Sequence, residues 1–441
     1  MLKTFKMGGV HPPENKISAN SPIEVLPLPK TVTIPISQHI GVPSQVLVQK
    51  NDKVKVGTLI AKQNGFVSAN IHSSVSGTVQ KIEEVFDTSG YRRMAITIAV
   101  EGDEWEESID RSTDLKKDYD TSIDIIQKIA EAGIVGLGGA TFPAHVKLTV
   151  PQGKKAEILI INGVECEPYL TSDHRLMLER DNEIMIGTSI LMKALNVSEA
   201  AIGIENNKLD AIKKLTETAK NYQGIKVVPL KVKYPQGAEK QLIKAITNRE
   251  VPSGKLPIEV GAVVQNIGTA FAVYEAVIKN KPLIERVVTV TGKSLEKPSN
   301  LLVRIGTPVQ KLLDYAGGID ENATKVISGG PMMGKAISNL DIPVTKGTSG
   351  IVVLSKKEGY RKEQNNCIRC ARCVSVCPMG LEPYLLMAYS ERQMWSEAEK
   401  DKVMDCIECG SCSFTCPSNR PLLDYVRLGK STVGKIIRNR K

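Results

Sequence analysis

The chain has 441 residues and a formal net charge of +10, with 41% hydrophobic, 24% charged and 4% aromatic residues. This length exceeds what one hydrophobic core supports, so we expect about three or four domains. The composition is typical of a water-soluble globular protein, and no apolar run approaches the roughly 20 residues that cross a bilayer. Sparse aromatic residues and the lack of a recognition motif argue against nucleic-acid binding despite the positive charge.

The first part of the chain predicts an extension followed by a β domain. Residues 1–30 have no apolar core or cleavage site, so they predict an N-terminal extension and not a signal peptide. From 31 to 105, short β-branched runs alternate with Gly, Pro and Asn–Asp turns. This stretch resembles the barrel-sandwich of lipoyl and biotinyl carrier domains. The hairpin that would bear the modified lysine, 64–71, has none, so we expect an unmodified structural or docking module.

Residues 118–283 follow an acidic linker and predict an α/β domain. A helix with Ser122 as its N-cap leads into alternating strands and helices, which indicates a largely parallel sheet with ligands at the carboxyl ends of its strands. The loop GIVGLGGATFP between them carries Gly136, Gly138 and Gly139, which let backbone N–H groups approach a phosphate closely. Lys147 follows on a predicted helix and could pair with a phosphate or a flavin. A tight turn without a ligand explains such a loop equally well.

Two further segments are predicted on either side of the cysteine-rich region. Residues 284–357 contain a short strand, a turn, a second strand and a helix, which suits a small β-grasp domain. Residues 426–441 contain no acidic residue and predict a basic tail. A solvated end, a patch for anionic lipid and a patch for an acidic partner all remain open for this tail.

Eight of the nine cysteines form two runs with the spacing C-x2-C-x2-C-x3-C-P, within residues 360–425. This spacing is typical of a ferredoxin-like domain with two [4Fe–4S] clusters, in which the last cysteine of each run binds the other run's cluster. Zinc rarely uses the spacing twice with the prolines, and disulfides do not suit a chain without export signals. The predicted ligands are Cys367, Cys370, Cys373 and Cys416 for cluster 1, and Cys377, Cys406, Cys409 and Cys412 for cluster 2.

Three ordered motifs give the α/β domain a family resemblance. GLGGATFPAHVK, INGVECEP and VVQNIGTA resemble the flavin loop and two downstream segments of the 51 kDa NADH-binding subunit of respiratory complex I. The resemblance implies FMN as cofactor and NADH as its reductant, with no protein residue as a general base. Leu137, Thr141 and Val164 depart from the family's arginine, glycine and aspartate, and Cys166 from its serine. The residues it assigns to the flavin are Gly136, Gly138, Gly139, Ala140, Lys147, Asn162 and Asn266, and those it assigns to the nicotinamide or ribose side are Glu165 and Glu167.

The order of domains resembles that of the C subunits of Rnf electron transport complexes. The fold this implies is multidomain α/β and α+β: a lipoyl-like barrel-sandwich, an FMN/NADH-binding α/β domain, a β-grasp module of the soluble-ligand-binding (SLBB) type and a two-cluster domain. The implied activity is that of a peripheral subunit on the cytoplasmic side of the cell membrane, which passes electrons between NADH, FMN and the clusters while partner subunits move Na⁺ or H⁺. Implied partners are the iron–sulfur B subunit of the complex, ferredoxin indirectly and, through the complex, the membrane surface.

Two other functions remain open from the sequence. Soluble cobalamin reductases resemble the flavin and cluster parts, but there the barrel-sandwich follows the clusters, whereas here it precedes them. A non-catalytic electron conduit is the second alternative, because Leu137 and Val164 replace polar residues of the flavin motifs.

Overall fold

The computed structural model describes residues 2–119 and 124–440, so the predicted N-cap Ser122 lies outside the described residues. Four folded units follow one another along the chain, as the sequence predicts. No helix within the described ranges is both long and apolar enough to cross a bilayer.

The barrel-sandwich domain consists of two sheets that share one core. Its four-stranded sheet has the order β2-β8-β7-β4 and its three-stranded sheet the order β3-β5-β6. Val32, Ile34, Ile60 and Ile71 are buried because alternate residues of each strand point inward. The strands of this part of the chain are β1 (Ile23–Val25), β2 (Thr31–Pro35), β3 (Gln45–Val46), β4 (Lys53–Val54), β5 (Leu59–Lys62), β6 (Ile71–His72), β7 (Gly77–Phe86) and β8 (Arg92–Val100).

The central domain is a doubly wound α/β domain with an all-parallel sheet of order β11-β10-β9-β12. The order reverses between β9 and β12, so these two strands define the switch point at which such sheets bind ligands. A 3-10 turn, Pro257–Val260, precedes β12. The other elements are α1 (Ile125–Glu131), α2 (Ala144–Leu148), β9 (Ile158–Asn162), α3 (Ser172–Glu179), α4 (Asp181–Leu195), β10 (Ala200–Glu205), α5 (Leu209–Ala219), β11 (Ile225–Leu230), α6 (Glu239–Thr247), β12 (Ala262–Asn266) and α7 (Ile267–Ile278).

The β-grasp domain has a six-stranded sheet of order β1-β14-β13-β17-β15-β16 packed around its own core. The predicted strand, turn, strand and helix correspond to β13, β14 and α8. Strand β1 comes from the N-terminal residues and pairs in parallel with β14. The elements are β13 (Glu285–Thr291), β14 (Ser299–Arg304), α8 (Val309–Tyr315), β15 (Ala323–Ser328), β16 (Lys335–Ile337), β17 (Gly350–Ser355) and α9 (Lys356–Gly359).

The iron–sulfur domain is helical, and its last helix corrects the prediction of a basic tail. Helix α14 runs through residues 426–439 without a break and buries Val426, Gly429 and Val433 against the cluster-binding part. The basic side chains therefore lie on an amphipathic helix and do not form a solvated tail. The elements are α10 (Arg372–Ser375), α11 (Pro383–Glu391), α12 (Trp395–Lys400), a 3-10 turn (Val403–Asp405), α13 (Ser411–Thr415) and α14 (Leu422–Asn439).

The N-terminal residues also differ from the predicted extension. Lys3 forms a parallel bridge with Leu230 at the edge of the central sheet, and Val10 forms an antiparallel bridge with Tyr234. The Gly9 N–H donates to the carbonyl oxygen of Val376 in the iron–sulfur domain at 2.8 Å. We call residues 2–22 the N-terminal strap, because they connect the central domain to the iron–sulfur domain before β1 joins the β-grasp sheet.

Candidate functional site

The glycine loop lies between α1 and α2 and is closed like a hairpin. Val135 and Pro143 form a bridge, and the Gly136 N–H donates to the Phe142 carbonyl oxygen at 2.9 Å. At the tip, residues 138–140 are exposed, and in the described part of the chain their backbone N–H groups have no protein acceptor. Three consecutive free donors on a glycine turn form the kind of concavity that binds anionic groups.

The loop tip faces the switch point of the central sheet. A Cβ atom added to Gly138 would lie 3.3 Å from the Cβ of Asn266, the last residue of β12, whereas a Cβ on Gly139 would meet no atom within 4 Å. Thr141, which replaces a family glycine, adopts a left-handed φ of 50°. The crevice thus stays open because residue 138 has no side chain, and a flavin fits this arrangement of open space and backbone donors.

The two predicted asparagines end neighbouring strands, and Asn162 is paired in register with Asn266. The Asn162 amide donates to the Gly237 carbonyl at 2.8 Å, and its oxygen accepts from the Val164 N–H at 3.2 Å. Asn266 caps α7 through the Gly268 N–H at 2.8 Å and donates to a carboxylate oxygen of Asp173 at 2.7 Å. Both side chains therefore hold the strand ends and loops around the crevice.

Lys147 lies on α2, and its ammonium is paired with the carboxylate of Glu239 at 2.6 Å. Glu239 is the first residue of α6, which follows the loop that Asn162 holds. Lys147 therefore forms an ion pair between α2 and α6, and its contact with the flavin stays a prediction.

The turn after β9 contains the two predicted glutamates, and two lysine side chains hold its backbone. The Lys16 ammonium of the N-terminal strap donates to the carbonyl oxygens of Glu165, Glu167 and Leu170 at 2.8, 2.9 and 2.7 Å. The buried Lys208 donates to the Val164 carbonyl at 2.8 Å. Burial, followed by repulsion from Lys208, lowers the pKa of Lys16 to about 8. With the carbonyls turned inward, the N–H groups of residues 165–167 have no protein acceptor among the described residues.

The two glutamates themselves have different environments. Glu165 has a left-handed φ of 47°, and its carboxylate accepts from the N–H groups of Asp173 at 2.8 Å and His174 at 3.2 Å, so it caps helix α3. The Glu167 carboxylate accepts from the Met332 and Met333 N–H groups of the β-grasp domain at 3.1 and 2.8 Å. Burial raises the pKa of Glu167 to about 7. Both carboxylates thus accept backbone N–H groups, and both residues remain partly exposed, so their assignment to the nicotinamide or ribose side stays a prediction.

The apolar replacements in the flavin motifs lie inside the protein. Leu137 is buried, and its N–H donates to the Thr269 hydroxyl at 3.0 Å. Val164 is also buried, in the small core beneath β9. Cys166 packs beside this core, and its sulfur accepts from the Gly237 N–H at 3.3 Å. The side chains of Leu137 and Val164 therefore do not block the crevice.

The four cysteines predicted to bind cluster 2 lie together. Cys377, Cys406, Cys409 and Cys412 line a single cavity whose other walls are mainly apolar. Within the described ranges, no three His, Cys, Asp or Glu side chains converge as a single metal ion requires. Burial raises the pKa of Cys406 to about 11 and that of Cys412 to about 12. Cys377 and Cys409 are buried and Cys406 and Cys412 are partly buried, and the iron of a cluster would supply the positive charge that their thiolates need.

Cluster 1 has a more open set of ligands. Cys373 and Cys416 are both partly buried. Burial raises the pKa of Cys373, and the charge of the nearby Cys416 raises it further. Cys367 and Cys370 are exposed on the loop before α10. The two predicted sets therefore occupy different depths, with cluster 2 inside the molecule and cluster 1 at its surface.

Cluster 2 also adjoins the central domain. Tyr234 after β11 donates its hydroxyl to the Cys409 carbonyl at 2.8 Å, and Gln241 on α6 donates to the Pro378 carbonyl at 3.1 Å. Val10 of the strap packs in the same small cluster of buried side chains as Tyr234 and Cys409. Sequence analysis missed Lys16, Lys208 and Tyr234, because no local motif marks them and each acts on residues far away in the chain.

Comparison with known proteins identifies all four units. Family models match the RnfC barrel-sandwich hybrid domain at residues 3–104, the Nuo51 FMN-binding domain at 129–275, the SLBB domain at 287–336 and the 4Fe-4S dicluster domain at 360–417. The solved structure of an H₂-reduced NAD⁺-reducing [NiFe]-hydrogenase matches with a TM-score of 0.46 and 15% identity, over 70% of this chain and 60% of its own. That likeness is too distant to bear on function.

Full-length relatives are much closer. The C subunit of the proton-translocating ferredoxin:NAD(+) oxidoreductase complex of Clostridium ljungdahlii is 50% identical over 98% of this chain and 94% of its own length. The C subunit of the Na(+)-translocating complex of Acetobacterium woodii is 46% identical over 98% of this chain and 97% of its own. The C subunit of the ion-translocating oxidoreductase complex of Rhodobacter capsulatus is 42% identical over 98% and 84%. The chain belongs to the family of C subunits of ion-translocating ferredoxin:NAD(+) oxidoreductase (Rnf) complexes.

Proposed function

We propose that this chain is the NADH-reactive peripheral subunit of a membrane-bound ferredoxin:NAD(+) oxidoreductase complex. The observation that carries the proposal is that one chain holds both kinds of site in two domains that contact each other. The glycine tip with its free N–H groups lies at the switch point of the central sheet, and Tyr234 of the same domain contacts Cys409 in the cavity lined by four cysteines. A site for a two-electron cofactor in one domain and sites for one-electron carriers in a domain that contacts it are what this activity requires.

The chain's own contribution is binding and orientation. FMN bound at the crevice would supply the capacity to accept a hydride from NADH and clusters at the two cysteine sets would supply one-electron transfer, and that chemistry belongs to the cofactors. The N–H groups of residues 138–140 would hold the flavin at the crevice. Lys16 and Lys208 keep the turn after β9 in place, and Asn162 and Asn266 hold the ends of the two strands that border the site.

The different depths of the two cysteine sets indicate where a partner protein would dock. Cluster 2 ligands contact the central domain, whereas Cys367 and Cys370 of cluster 1 are exposed. The loop between 361 and 372 also presents Arg369 and the exposed side chain of Ile368. We infer that a partner protein of the complex, for which the iron–sulfur B subunit is our candidate, docks beside cluster 1 on the cytoplasmic side. Membrane attachment and the exchange with ferredoxin would come through the other subunits.

The test is anaerobic purification of the full chain followed by acid extraction and spectroscopy. We expect released FMN, iron and sulfide for two clusters, and loss of the visible cluster absorbance when NADH is added. A protein that releases no flavin, and whose clusters NADH does not bleach, would contradict the proposal and would favour a non-catalytic conduit.

A further inference from the structure

Three domains meet at the loop that carries Cys409. Tyr234 of the central domain is 2% exposed, and its hydroxyl donates to the Cys409 carbonyl oxygen at 2.8 Å. Met332 of the β-grasp domain lies on the other side, because a Cβ atom on Gly410 would approach the Met332 carbonyl oxygen to 2.6 Å. The loop that contains Cys409 and Gly410 is therefore fixed by residues outside the iron–sulfur domain.

Tyr234 is itself held at its backbone and at its hydroxyl. Its N–H and carbonyl exchange hydrogen bonds of 2.9 and 2.8 Å with Val10 of the N-terminal strap. Its hydroxyl oxygen lies 3.4 Å from the carboxylate of Glu167, which also accepts from the N–H groups of Met332 and Met333. Glu167 thus links the turn beside the flavin crevice to both groups that contact the Cys409 loop.

The iron–sulfur domain offers few hydrogen bonds of its own at this point. The Cys409 sulfur contacts the Ser411 hydroxyl at 3.4 Å, and the Cys406 carbonyl accepts from the Lys430 ammonium of α14 at 2.6 Å. The Cys409 carbonyl receives its donor from another domain. Hydrogen bonds around ligand residues orient the ligands and tune cluster potentials, and losing an outer partner costs activity or affinity as much as 10–100-fold.

We propose that Tyr234 is a positioning residue for cluster 2: through its hydroxyl it fixes Cys409 against the central domain and sets the environment of the cluster that Cys409 binds. This inference rests on the proposed function, since it requires the second cluster to be present. It gives Glu167 the part of an interdomain link.

The experiment compares Tyr234→Phe with wild type and with Tyr315→Phe, all as the full chain loaded with flavin and clusters. Phenylalanine keeps the ring that fills the site and removes only the hydroxyl. Tyr315 is the matched control, because its hydroxyl also makes one bond of 2.7 Å, to Glu24 in the β-grasp region. The measurements are the EPR signal and midpoint potential of each cluster, the rate of iron release to a chelator, and flavin content.

For Tyr234→Phe we expect a changed EPR signal and potential for one cluster, and release of about half of the iron roughly tenfold faster. Purification with one cluster missing and the flavin retained would support the proposal equally, and Tyr315→Phe should match wild type. Unchanged signals and iron release in Tyr234→Phe would overturn it, as would an equal loss of flavin and both clusters, which indicates general misfolding. A wild-type protein without clusters would instead refute the proposed function.

Discussion

Lys346 gives a prediction about pH and stability. It is the largest fully buried side chain of the described protein. Its ammonium donates to the carbonyl oxygens of Asn70 and Gly133, each at 2.7 Å, and its N–H donates to the Gln38 side chain at 2.9 Å. A residue of the β-grasp domain therefore joins the barrel-sandwich to the central domain, at the hairpin where a carrier protein would bear its modified lysine.

The surroundings of this ammonium are unfavourable to its charge. Within the residues that the structure describes, none of its hydrogen-bond partners is a carboxylate. The charged or titratable groups near it are basic: Arg286, His39 and His72. Arg286 donates to the Lys346 carbonyl oxygen. The pKa values of His39 and His72 are lowered mainly by burial and further by the charge of Lys346. Burial lowers the pKa of Lys346 from 10.5 to about 7.

The sign of the pH effect follows from which state binds the proton. Between the folded pKa of about 7 and the unfolded value of 10.5, the unfolded chain holds a proton at Lys346 and the folded chain does not. The free energy of unfolding therefore rises with pH across this window, by about 5 kcal/mol at 1.36 kcal/mol per unit. Lys346→Met keeps the packed side chain and removes the titration, so between pH 7 and pH 10 the stability of wild type relative to the variant should increase by most of that amount, about 3.5 kcal/mol.

The assay is urea unfolding at about pH 7 and about pH 10 with Trp395 replaced by Phe in all proteins, followed by the fluorescence of the remaining tryptophan, Trp105. Trp105 reports on the same joint, because Arg304 of the β-grasp domain lies 4.6 Å from its ring centroid. The control is Lys281→Met. Lys281 is paired with Glu275 and Glu285, which raise its pKa, so its contribution should not change in this window. A difference between wild type and Lys346→Met that is constant with pH would refute the reasoning.

Three other predictions concern the sites directly. Cys373→Ala should remove about half of the iron and acid-labile sulfide and leave flavin reduction by NADH intact; loss of flavin reduction would place cluster 1 before the flavin. Gly138→Leu should release FMN and keep the iron, since the new side chain would crowd Asn266, and normal flavin content would show that the crevice is elsewhere. Lys16→Met should speed amide exchange at Gly163, Val164 and Tyr169, the hydrogen-bonded N–H groups of this turn, by roughly tenfold, because three carbonyls lose their donor. Equal exchange in both proteins would mean that the strap does not hold this turn.

The parts of the fold that were predictable depend on local patterns. Strands β10 and β11 and helices α4 and α5 follow from hydrophobic periodicity, and the two cysteine sets follow from spacing on tight loops. Helix α14 had a usable signal in the seven-residue separation of Val426 and Val433, but its basic charge suggested a solvated tail. The strap, residues 2–22, has no periodicity, because its contacts are with three different domains.

The motif after β9 illustrates why residue types alone did not fix the site. The sequence identifies Glu165 and Glu167 as a pair of carboxylates, but their direction depends on partners elsewhere in the chain. Glu165 turns toward the start of α3 because the free N–H groups of a helix favour a carboxylate, and Lys16 holds the backbone that permits it. Glu167 turns toward the β-grasp domain because the backbone N–H of Met332 donates to its carboxylate. We expect the backbone N–H groups of this turn and of the glycine loop to face the flavin, whereas the two carboxylates accept N–H groups of the protein, so substitutions that move the backbone should weaken flavin binding more than removal of either carboxylate.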